Sequence, residues 1–108
     1  MGEIRIRRDE RNRVTGLDLR DVAIETAAGR SALHLVRTVT ASLIEYLHVN
    51  VESVDVETGI EVTIDRCDSH LDRELDAVLE TLVIGLRMLE KECEADLVLE
   101  ELTVGVEV

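Results

Sequence analysis

Cys67-Asp-Ser-His70 is the one place in this chain of 108 residues where a thiol and an imidazole stand close in sequence. Such a pair suits nucleophilic catalysis, because the imidazole can hold the proton that the thiol must lose before it attacks a carbonyl. A helix opening just after Cys67 would add its N-terminal dipole, which favours the thiolate. A cysteine that closes a strand and a histidine in a helix cap are also commonplace, so structure must decide between the two roles. Other constellations carry less. Cys67, His70, His48 and Cys93 are zinc-type ligands without a paired spacing such as C-x-x-C, and no metal or other cofactor is expected. Asp72 and Asp76 have the i, i+4 spacing of a carboxylate pair, but with 24 acids in the chain they read as a solvated helix face. The six glycines are scattered, so no phosphate loop is present.

The elements that would hold these groups belong to one domain, residues 1–108, long enough for a single core. Hydrophobic residues make up 45% and charged residues 33%, which excludes a disordered chain and a membrane-embedded one. With no spanning segment and no apolar leader, a cytoplasmic protein is expected, and its two cysteines are read as free thiols. The core must be Leu, Val, Ile and Ala, since there is one Tyr and neither Phe nor Trp. That absence and a net charge of −12 argue against nucleic acid and anionic membrane as partners. Eleven of the twelve basic residues are Arg, a bias that, with the acids, resembles proteins adapted to high salt.

Ile4 and Ile6 alternate with Arg5 and Arg7, and Val14 to Leu19 follows after the turn DERN, which predicts a hairpin. Asp21 to Gly29 carries no clean period and reads as a loop. From Arg30 to Leu47, the apolar residues Leu35, Val36, Val39, Leu43, Tyr46 and Leu47 recur at helical steps, with Ser31 as the expected N-cap. Val51 to Val56 and Ile60 to Ile64 predict a second hairpin. If its acidic face neighbours the first strand, Arg5 and Arg7 gain cross-strand partners, which explains the basic N-terminus without a ligand. Ser69 to Asp72 has the spacing of a capping box ahead of a helix whose stripe runs Leu71, Leu75, Val78, Leu82, Leu86 and Leu89. Gly85 inside it implies close approach by another element. Leu97 to Val108 is strand-like, and its change of register predicts a bulge near Glu100 to Leu102. The fold class is therefore α/β, or more narrowly α+β: two helices layered on a mainly antiparallel sheet in the order β-β-α-β(β)-α-β.

That order, with the segment LETLVIGLRMLEKECEADLVL (Leu79 to Leu99), resembles the ribosomal-processing cysteine protease family, Prp. The segment is similar to the family's Gly-Leu-x-x-Ile, acidic residues, aromatic position and closing strand; the N-terminal hairpin and the strand Ile60 to Ile64 also match. The resemblance implies a protease with a His in a Gly-His-Ala loop and a Cys early in the first helix. Matching the family's Val-Cys-Ala-Ala-x-Ser-Ala to Leu35-Val-Arg-Thr-Val-Thr-Ala41 places Val36 at the nucleophile, and the loop reads Arg20-Asp-Val-Ala23. Both catalytic residues are missing. The resemblance thus implies a divergent, non-catalytic member, not an enzyme because the family's catalytic His and Cys are absent, in which Asp21, Val36 and Arg37 are the expected binding residues. It also implies a homodimer, and a protein-binding or ribosome-associated accessory role.

His34 lies about 200° around the helix from Val36 and is expected to be exposed. Cys93, at the family's aromatic position, is expected in the core. Two other functions compete: a thiol enzyme using Cys67 and His70, and an assembly subunit unrelated to Prp, pairing strands through Val104, Val106 and Val108. An open groove beside the loop from Asp21 would favour binding, and a groove filled by Val36 and Arg37 would oppose it.

Overall fold

The computed structural model describes residues 2–67 and 69–103. The elements follow as β1 (Gly2–Arg8), β2 (Val14–Arg20), α1 (Ala27–Glu45), β3 (Val51–Val56), β4 (Gly59–Ile64), α2 (Asp72–Glu92) and β5 (Leu97–Thr103), with a 3-10 turn, Ser69–Leu71, leading into α2. This is the predicted order, with both middle strands formed. One mixed sheet has the strand order β3-β4-β2-β1-β5, antiparallel except for the parallel pair of β1 and β5.

Period-2 alternation explains how the sheet is buried. Ile4 pairs with Leu19 and Ile6 with Leu17, while β4 sets Ile60 against Leu19 and Val62 against Leu17. All six side chains fall on one face and are buried. Ala32, Val36 and Leu43 of α1 and Leu75, Leu79, Val83 and Leu86 of α2 close the same core. Each large side chain withdrawn in this way contributes roughly 1.5–3 kcal/mol.

The opposite face is polar, and Arg5 and Arg7 do find acidic partners there. Those partners stand on β5 and β2 rather than on β4, because β2 separates β4 from β1. Arg5 Nε donates to Glu100 Oε1 at 3.2 Å, and Arg7 Nη2 to Asp18 Oδ1 at 3.1 Å and the Val62 carbonyl at 2.7 Å. Gly16 makes the second reach feasible, since a Cβ there would lie 2.5 Å from Arg7 Nη2.

Local boundaries differ from expectation where packing overrides pattern. Helix α1 begins at Ala27, capped by Thr26, whose Oγ1 accepts from Gly29 N at 3.0 Å; Ser31 lies inside the helix. Gly29 is therefore a first-turn residue, and a Cβ on it would meet the Ala23 carbonyl at 2.0 Å. Gly85 is the reverse case, with open space where its Cβ would be, so close approach is not its reason. Leu71 is the N-cap of α2, without a side-chain cap bond; the Ser69 hydroxyl of the expected capping box lies outside the described residues. The expected bulge in β5 is absent from the described strand, which pairs with β1 continuously from Leu97 to Thr103; the register shift lies at Arg7 and Arg8 opposite β2. Val104, Val106 and Val108 lie outside the described residues.

The acids of α2 are not a free solvated face. Arg66 Nη2 donates to Asp76 Oδ1 at 2.6 Å and to Asp72 Oδ1 at 3.2 Å, and its Nη1 to the Val14 carbonyl at 2.9 Å. Arg13 joins Asp72 at 2.9 Å to Asp9 at 2.8 Å, and Arg8 joins Glu80 at 2.6 Å to Glu101 at 2.8 Å. Arg87 also binds Glu101. Arginine serves this network because one planar guanidinium engages several carboxylates with fixed geometry.

Candidate functional site

One candidate site of this fold is a cleft beside the start of α1. Leu33 and Arg37, one turn apart on α1, share a side of the helix that meets the β3–β4 turn, and Leu33 also packs against the core. The segment from Asp21 to Thr26 forms the facing wall and is tied down at both ends. Asp21, in the left-handed region at φ 54°, donates its N–H to Thr58 Oγ1 at 3.1 Å, and Val22 N donates to the Thr58 carbonyl at 2.9 Å. At the far end Arg30 Nη1 donates to the carbonyls of Ile24 and Glu25 at 2.9 and 3.1 Å. Gly59 sets the floor: a Cβ there would come within 1.8 Å of the Leu19 carbonyl, so only glycine lets the β3–β4 hairpin approach β2 so closely.

The resulting cleft is about 580 Å³, walled by Val22, Ile24, Leu33 and Val56. Asp21, Glu25, Asp55 and Glu57 line it against one base, Arg37. Arg37 Nη2 stands 3.6 Å from Asp55 Oδ1 across the opening. The arrangement offers a cation an acidic rim and an apolar side chain a floor. It is open, and Arg37 lies at its rim rather than filling it.

Asp21 and Arg37 are thus brought together, as expected, but Val36 is not with them. Its side chain is 0% exposed and packs in the core, because it lies about 100° around α1 from Arg37. Val36, the expected binding residue at the nucleophile position of the resemblance, does not line this cleft; the α1 residues that do are Leu33 and Arg37. The result for chemistry is the same, since α1 contains no cysteine and the segment 21–26 contains no histidine. His34 is exposed, as expected, in a shallower hollow with Arg30, Leu33 and Arg37.

Cys67 is exposed and lies away from the cleft, in a hollow of about 130 Å³ with His48, Asn50, Asp65 and Leu71. The imidazole lining that hollow is His48, not His70. The Asp65 carboxylate, which hydrogen-bonds the thiol and accepts from Cys67 N at 2.9 Å, pushes the thiol pKa above its ordinary value. The expected dipole effect is reversed, because a carboxylate at contact outweighs partial charges a turn away. Asp65, two residues before the cysteine, was the sequence signal that could have shown this. Cys93 is half-buried against the core at the end of α2, as expected. Among the described residues, no group of three or more His, Cys, Asp or Glu side chains could hold a metal ion. No described helix is long and apolar enough to cross a membrane.

A scan of protein families and a search of curated proteins each returned no match. Solved structures did match. The ribosomal processing protease Prp of S. aureus, in complex with a covalently linked product peptide, superposes with a TM-score of 0.81 at 13% identity, covering 94% of this chain and 100% of that one. The same protease in complex with a substrate peptide gives 0.80 at 13% identity, with the same coverage. A Streptococcus mutans protein gives 0.77 at 12% identity over 95% of each chain. At such identities the likeness establishes the fold, and the fold is that of Prp.

Proposed function

We propose that this domain of Prp fold is a non-catalytic, cytoplasmic binding protein that takes a basic polypeptide segment of a protein partner, such as a ribosome-associated one, in the cleft between the segment 21–26, α1 and the β3–β4 turn. One observation carries the reading: the cleft is bounded by the two segments on which the Prp resemblance puts the catalytic His and Cys, and in this chain neither segment has them. A carbonyl bound there meets no thiol, so binding is the function left to the cleft. Its neighbours of like fold hold a substrate and a product peptide, which supports polypeptide as the ligand class. The four carboxylates at the rim supply the preference for basic side chains. Homodimer formation belongs to the same proposal and is supported by an apolar groove between α1 and α2, lined by Leu35, Val39, Ala77 and Val78.

The test is a fluorescence-polarisation titration with labelled peptides of equal length, one set rich in Arg and Lys and one rich in Asp and Glu, followed by mass spectrometry of the peptides after a day. The basic set binds, the acidic set does not, and both keep their mass. The double variant Glu25→Lys with Glu57→Lys weakens binding about tenfold. Cleavage of any peptide would overturn the non-catalytic reading, and equal binding of both sets would overturn the cleft's charge preference.

A further inference from the structure

The sheet ends on β5 at one side and on β3 at the other, and the two edges differ. On β5 the first half of the outward backbone is engaged: Leu99 N–H donates to Glu90 Oε2 of α2 at 2.6 Å, and Leu97 N–H to the Cys93 carbonyl at 3.1 Å. On β3 it is bare. Val56 and Gly59 flank the two-residue turn Glu57-Thr58 and form its bonded pair. Bonded and non-bonded pairs alternate along an antiparallel ladder, so Val54 and Glu52 turn their N–H and C=O groups to β4. Those of Val51, Ser53 and Asp55 then point away from the sheet, and no backbone group among the described residues meets them. The Ser53 and Asp55 side chains are exposed, so no helix covers this edge.

A row of open donors and acceptors is a template for one more strand, and charge decides which strand. The sequence VESVDV carries Glu52 and Asp55 and no base, with Glu57 following in the turn. A second copy laid antiparallel about Ser53 would set Glu52 opposite Val54 and Asp55 opposite Val51, with the two Glu52 carboxylates as diagonal neighbours. A shifted register would bring Glu52 onto Glu52 or Asp55 onto Asp55, and no register gives these acids a base. On the neighbouring helix Leu33, Arg37 and Ile44 fall within about 40° of one another around the axis, so α1 offers two apolar side chains beside this edge. Its one base there, Arg37, already faces Asp55. The edge also runs into the cleft, since Asp55, Val56 and Glu57 line both.

We infer that an extended, basic segment of a protein partner adds to the free edge of β3 as a further strand of this sheet, hydrogen-bonded to the outward N–H and C=O groups of Ser53 and Asp55. The inference rests on the proposed polypeptide-binding function and specifies how the segment is held. Side chains of an added strand point alternately to the two faces of the sheet. On the helix side they meet Leu33 and Ile44, and next to Asp55 and Glu57 a Lys or Arg finds its counter-charge.

The probe is an acetylated, amidated hexapeptide alternating Arg and Val, titrated into the full chain and followed by amide chemical shifts and hydrogen exchange. Binding slows exchange at Ser53 and Asp55. The same peptide with every backbone nitrogen methylated keeps its charges and side chains but has no strand donors, and binds at least tenfold more weakly. Ser53→Pro removes one outward N–H while leaving the bonds to β4, and it lowers affinity to a similar extent; where circular dichroism shows that this variant fails to fold, the methylated peptide alone decides. Equal binding of the two peptides, with shifts confined to Asp21, Leu33 and Arg37, would overturn strand addition and leave the cleft reading standing. If neither this peptide nor an acidic Glu-Val counterpart binds, both fall.

Discussion

At the scale of single residues, the contrast between Cys67 and Val36 shows how environment assigns a role. Cys67 has the right element type beside it, a helix about to start, yet the Asp65 carboxylate hydrogen-bonds it and pushes the thiol pKa above its ordinary value. The folded thiol pKa is raised, so less thiolate is present at neutral pH than in a free cysteine. Alkylation of the native protein with iodoacetamide at pH 7, read by mass spectrometry, should therefore be slower at Cys67 than at free cysteine, and Asp65→Asn should speed it. A Cys67 faster than the free thiol would revive a thiol enzyme. Val36 carries a packing side chain, fully buried in the core, so the face of α1 on which a residue falls, and not its place in a sequence match, decides whether it can meet a ligand.

At the scale of elements, three glycines separate what a pattern implies from what contact requires. Gly59 and Gly29 face carbonyl oxygens that a Cβ would strike, one holding the β3–β4 hairpin to β2 and one holding α1 to its preceding segment. Gly85 faces open space within a helix. Gly59→Ala and Gly29→Ala should each destabilise the fold by about 3 kcal/mol, as backbone displacement does. Gly85→Ala should stabilise it by about 1 kcal/mol, the propensity difference alone. Urea melts of the three variants check this, and a loss of stability in Gly85→Ala would mean that a second copy or a partner occupies the helix face. The strands and helices themselves were legible as periods of two and of 3.6 residues. The N-terminus of α1 was not, because Thr26 and the Ala23 carbonyl act there through three-dimensional contact.

At the scale of the molecule, the excess of acid is partly organised and partly not. Burial by itself would raise the Asp72 carboxyl, but hydrogen bonds and charge from Arg13 and Arg66 more than offset it and leave the pKa below its ordinary value. Asp9, through Arg13, and Glu101, through Arg8 and Arg87, are lowered in the same way against desolvation. A carboxyl depressed in the folded state stabilises above its unfolded pKa, and that contribution is lost as pH falls through the folded value. Thermal stability should therefore drop below about pH 4. The remaining net charge of −12 repels itself across the exposed surface, where salt screens it, whereas the half-buried arginine pairs are screened less. At pH 7 the melting temperature should rise between 20 mM and 1 M sodium chloride. A fall would mean that the ion pairs outweigh the general repulsion.

The sequence by itself determined the order of the elements, most of the residues that face the core and the lack of a thiol in α1, because each of these depends only on residue type and local spacing; Tyr46 and Leu35 of the expected α1 stripe are instead exposed. The tertiary structure decided that β1 lies between β2 and β5, that the acids of α2 are held by Arg8, Arg13 and Arg66, and that Leu33 and Arg37 rather than Val36 look into the cleft. Those outcomes join residues many tens of positions apart, and such distances are closed only when the two helices bury their stripes on the sheet.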